Sequence, residues 1–69
     1  MVPGDFLALD KETQAAVRTV VDIARWKHVA ADRTHGDRRI HAFPIPRSGG
    51  KICWGVIAPG HKCIAEGVM

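Results

Sequence analysis

The chain has no tyrosine, and its 69 residues hold only two cysteines, two phenylalanines and two tryptophans. Two cysteines are too few for a disulfide framework, so the fold must rest on an apolar core. Reduced thiols suit an intracellular setting, and the expected location is cytoplasmic. No apolar run approaches the roughly 18 residues of a membrane span. The opening M-V-P-G-D-F-L-A-L-D lacks a basic flank and a long apolar stretch, so it does not read as a secretory signal. Internal repeats, linkers and low-complexity runs are also missing. So are a carboxylate pair, a Ser/His/Asp set and a phosphate-cradling glycine loop, since S-G-G-K lacks the spacing of a P-loop. No cofactor is implied.

What is present fits one small domain spanning residues 1–69. The hydrophobic fraction of 46% is that of a globular chain. A domain this short buries little core and often needs a staple or a partner. The net charge of +3 permits nucleic acid or an acidic protein as partner.

After an N-terminal arm at 1–9, residues 10–31 read as one amphipathic helix. Asp10 is a good N-cap and Glu12 suits the first turn. At about 100° per residue, Ala16, Val17, Val20, Val21, Ile23 and Ala24 share a face. Gln14, Arg18, Asp22 and Arg25 lie opposite, and Lys27 falls on the apolar side, where the helix leaves the core. Residues 38–46, 51–58 and 61–68 read as three strands, with R-S-G-G and P-G as turns. The expected fold is α+β: an N-terminal helix packed on a three-stranded antiparallel meander, αβββ.

Turn lengths set a register. A two-residue turn at Pro59-Gly60 places Val56 opposite Cys63 and Trp54 opposite Ala65. A four-residue turn at Arg47–Gly50 places Phe43 opposite Trp54, Ile45 opposite Ile52 and His41 opposite Val56. Together they give one helix-facing surface of His41, Phe43, Ile45, Ile52, Trp54, Val56, Cys63 and Ala65. A one-residue slip would break this agreement. Pro44 is tolerated because the first strand is then an edge. Cys53 and Cys63 fall on opposite faces, too far apart for a disulfide. With no C-x-x-C or H-x-x-x-H pair, no metal site is expected, and the cysteines read as small apolar residues.

Any of His28, His35, His41 and His61 could serve as a general base. The segment H-A-F-P-I-P, His41 to Pro46, resembles the catalytic-strand region of the HicA messenger-RNA-cleaving toxins, which also place a helix before three strands. That resemblance implies an RNA-cleaving role for His41. The Gly-Ser-His lead-in and the closing helix of that family are missing here. The charges say more. From Arg33 to Lys51 there are five cations against one acid, Asp37. The meander gathers Arg33, His35, Arg38, Arg39, His61 and Lys62 at one end, a candidate site for phosphates or an acidic protein surface. The far sheet face is expected to carry Ile40, Ala42, Pro44, Ile57, Ile64 and Val68. Unless Phe6, Leu7 and Leu9 cover it, it is an interface for a target or for a homodimer. These readings converge on a non-enzymatic regulator or inhibitor that occupies a protein target, of the size of phage and mobile-element inhibitors. A nucleic-acid-binding module is the alternative, and a HicA-like toxin the third.

Overall fold

In the computed structural model, which describes residues 4–69, Asp10 caps a helix α1 at Lys11–Lys27. Its carboxylate accepts from the Thr13 amide at 3.3 Å and from Thr13 Oγ1 at 2.6 Å. Arg38 Nη1 donates to the same carboxylate at 3.1 Å and to Thr13 Oγ1 at 3.2 Å. The cap therefore also clasps the helix to the sheet. The Thr13 hydroxyl is the main reason the carboxyl lies below its ordinary 3.8, with the Thr13 amide and the Arg38 charge acting the same way. A carboxylate with a depressed folded-state pKa stabilises the fold above its unfolded pKa. That contribution is lost as pH falls through the lowered folded value. Asp10→Asn, which keeps a capping oxygen but no charge, should lower the Tm at neutral pH. The gap to wild type should close when melting curves are taken progressively below about pH 4.

The helix stops earlier than the sequence predicts. Val17, Val20, Val21 and Ala24 are buried, and the next positions on that stripe are Lys27 and His28. Nothing apolar continues the face, and His28 turns the chain out at φ 55°. The released segment enters a strand that the sequence reading placed in helix and loop. The sheet has four strands, not three: β1 Ala31–His35, β2 Arg38–Pro44, β3 Ile52–Ala58 and β4 Lys62–Val68, antiparallel in the order β1-β2-β3-β4. Gly36 at φ 63° starts the two-residue turn between β1 and β2, a backbone conformation only glycine adopts without strain.

The register differs by one residue between β2 and β3. Ala42 lies opposite Trp54, Ile40 opposite Val56 and His41 opposite Gly55. The cause is the connecting loop. Ile45 N still donates to Lys51 O, but Pro46 has no N–H, so the loop is five residues, Pro46–Gly50. Ser48 pins it, donating to Ile45 O at 2.6 Å and accepting from Lys51 N at 3.1 Å. The odd shift turns β2 over. Ile40 and Ala42 face the helix and are buried, whereas His41 and Phe43 lie on the opposite face.

Between β3 and β4 the shift is one residue beside the turn and two beyond a bulge, so Ala65 keeps its expected face and Cys63 changes sides. His61 joins Pro59 and Gly60 in a three-residue loop, and Ile64 is bulged out of the ladder, which pairs Val56 with Ala65 and Ile57 with Cys63. Pro44 is not on an edge strand, since β1 flanks β2. It lies past the last β1 pair, Ala31 with Ala42, where no ladder partner awaits its N–H.

The core lies between α1 and one sheet face: Leu9, Val17, Val20, Val21, Ala24, Ile40, Ala42, Ile52, Trp54, Val56 and Ala65. The arm closes the same side rather than the far face. Phe6 meets Trp54 edge to face at 5.9 Å, Leu9 is buried and Leu7 is exposed. Gly4 pairs along β4, donating to Ile64 O at 3.0 Å and accepting from Glu66 N at 3.1 Å, which covers part of that sheet edge. The first three residues of the expected arm lie outside the described residues.

Candidate binding surfaces

The β1–β2 and β3–β4 turns lie at the same end of the sheet, which follows from the meander order. Between them is a concavity of about 240 Å³ whose lining includes Thr34, Arg38, Arg39, Ile57, Gly60 and His61. Arg38, Arg39 and His61 of the expected basic cluster are thus brought together. The remainder are distributed around them. Lys62 is exposed at the start of β4, opposite Ala58. His35 lines a separate hollow with Asp10, Thr13 and Arg38 on the helix side. Arg33 pairs with Ile40 on the edge strand and is exposed there.

The cluster is less positive than its sequence. Arg38 is held by Asp10 at 3.1 Å and Arg39 by Asp32 at 3.2 Å. Neither pairing is visible in the sequence, because Asp32 reads as part of the connection before the first strand and Asp10 acts across 28 positions. Exposed ion pairs of this kind contribute little stability, but they neutralise the end locally.

The open sheet face differs most from expectation. Ile40 and Ala42 are in the core, Ile64 packs against it and Pro44 lies opposite buried Ile52 on the helix-facing side, so four of the six residues assigned there are not on the open face. Ile57 and Val68 remain, joined by residues expected on the other side. Three cross-strand rows describe this face: Phe43–Cys53–Val68, His41–Gly55–Glu66 and Arg39–Ile57–Cys63. Phe43 is 42% exposed and Val68 56%. His41 lies over Gly55 so closely that a Cβ there would come within 2.7 Å of Nε2. Gly55→Val should therefore displace the imidazole and lower the Tm by several degrees, read by melting curves and by the His41 ring resonances.

Cys53 and Cys63 share this face, contrary to the opposite-face expectation. They lie about four strand positions apart, roughly 13 Å, and both are free thiols. Partial burial of the Cys63 sulfur pushes its thiol pKa up, and the Glu66 carboxylate adds to the shift. Trp26, 81% exposed at the end of α1 with Lys27 Nζ 5.7 Å from its ring centroid, is a feature that helical periodicity had left unassigned.

Among the described residues, no helix is long and apolar enough to cross a membrane. Comparison of the chain with protein-family models, with curated proteins and with solved structures finds no match.

Proposed function

We propose that this chain is a small non-enzymatic binding protein, a regulator or inhibitor that occupies an acidic protein surface with its basic end. The observation that carries the reading is the concavity between the two hairpin tips. Its lining combines the apolar Ile57, Ala58 and Pro59 with the Arg38 and Arg39 guanidiniums and the His61 imidazole. Apolar and guanidinium groups side by side suit a protein side chain flanked by carboxylates. A phosphodiester backbone is better served by an unopposed row of cations. Here Arg38 and Arg39 already have carboxylate partners, and Asp37 also lines the hollow.

Two arms test this. Immobilised wild-type protein should retain a discrete set of proteins from a lysate of its own cells, and Arg39→Glu/Lys62→Glu should lose at least tenfold of that signal while remaining folded. Fluorescence anisotropy with labelled duplex DNA and RNA across a salt series should give weak binding that vanishes at physiological salt. Micromolar or tighter nucleic-acid binding there, lost in the same double variant, would make nucleic acid the partner instead. RNA cleavage abolished by His41→Ala would make the chain an enzyme and overturn the reading.

A further inference from the structure

We propose that the open sheet face is a self-association surface, and that two copies pack face to face about a two-fold axis running along β3. The proposal goes beyond the binding reading and does not require it. The three rows carry the argument. A two-fold along β3 lays β2 of each copy over β4 of the other at the same height. Phe43 then meets Val68 of the second copy, and His41 meets Glu66 of the second copy. Apolar meets apolar and an imidazole meets a carboxylate, twice over, as an isologous contact requires.

Two other two-folds fail on charge. An axis between β2 and β3 lays β1 over β4 and sets Asp32 against Glu66 of the second copy. An axis across the strands through the middle row sets Glu66 against Glu66 and Phe43 against Arg39. The β3 axis avoids the like-charge contacts of both and pairs Phe43 with Val68 rather than with Arg39. The axial positions are Cys53, Gly55 and Ile57, with the His41 imidazole lying over Gly55. Each Arg39 faces Cys63 of the other copy and keeps Asp32 as its partner. Strand direction is preserved by this axis, so both basic ends emerge on the same end of the dimer. A dimeric or repetitive acidic partner would then be held by two contacts at once.

Cys53 supplies the test. Face-packed sheets lie about 10 Å apart, so a bis-maleimide of roughly that span should join Cys53 to Cys53 across the axis. Cross-linking of wild-type protein should give a species of twice 7.5 kDa. Cys63→Ser should preserve it and Cys53→Ser should abolish it. By sedimentation equilibrium, Glu66→Lys should weaken the dimer at least tenfold, and His41→Glu added to Glu66→Lys should recover most of that loss by exchanging the charges. Phe43→Asp, at a position already partly in water, should give folded monomer. A monomer at every concentration overturns the proposal. So does a dimer that cross-links only through Cys63, or that ignores Phe43→Asp and Glu66→Lys. Oligomeric state is measured without any partner, so its failure is distinct from a failure to bind an acidic protein.

Discussion

Trp54→Ala is expected to leave the chain largely unfolded at room temperature. Trp54 is 2% exposed at the centre of β3, opposite Ala42 on one side and Gly67 on the other. Its indole lies on Gly67, whose Cβ, if present, would be 3.0 to 3.1 Å from three ring atoms. Phe6 packs on its edge at 84° between ring planes, and Arg18 lies 5.2 Å from the Phe6 ring centroid. The one side chain thus joins the arm and two neighbouring strands. Removing a buried tryptophan costs about 3–5 kcal/mol, and a single core of this size supplies about 3–5 kcal/mol in total. The loss equals the whole. Chemical denaturation followed by tryptophan fluorescence measures it well in the wild type, because Trp26 is already in water and only Trp54 shifts on unfolding. Circular dichroism then reads the Trp54→Ala variant. A variant melting within a few degrees of wild type would mean that Trp54 is not the hub. Gly67→Ala should be milder, about 1–3 kcal/mol from crowding against the indole, and milder again in a Trp54→Phe background, where the shorter ring leaves room.

The sequence yields the helix because its signal is local: a capping Asp10, then Val17, Val20, Val21 and Ala24 at helical spacing. The β3 face is legible for the same reason, since Ile52, Trp54 and Val56 alternate with smaller or less buried residues. β1 is not, because A-D-R-T-H has no apolar alternation. It is held by its pairing with β2 rather than by its own burial. The Gly36-Asp37 pair was the available sign, since a glycine first in a two-residue connection marks a hairpin. The face of β2 depended on one residue of loop length, and Pro46 settled it by withholding an N–H. The candidate site shares that fate. The hairpin tips are adjacent in any meander, so Arg38, Arg39 and His61 still lie together with the strand added, while Arg33, His35 and Lys62 lie outside that hollow. The composition of the open face does not survive, because an odd slip exchanges every residue of β2 at once.

Ile40→Asp and Ile57→Asp should behave in opposite ways, although the sequence alone puts both isoleucines on one surface. Ile40 is 0% exposed and faces α1. A carboxylate there would be buried without a partner, and it would also forfeit the burial of the isoleucine side chain, about 1.5–3 kcal/mol. Together these cost roughly 4 kcal/mol or more, enough to unfold a domain of this size. Ile57 is half-buried on the open face, directly opposite Arg39. An aspartate there gains a cation across the strand, which offsets much of the lost apolar contact, so the cost should stay near 1 kcal/mol. Urea denaturation should therefore separate the two by roughly 3 kcal/mol. Equal damage from both would restore the register in which β2 presents Ile40 outward, and the three rows of the open face would fall with it. If Phe43→Asp, which leaves the hairpin-tip lining unchanged, is folded but monomeric, with binding to an acidic partner weakened only by the loss of a second contact, the two surfaces have separate duties. The open face would then set the number of copies, and the hairpin tips would choose the partner.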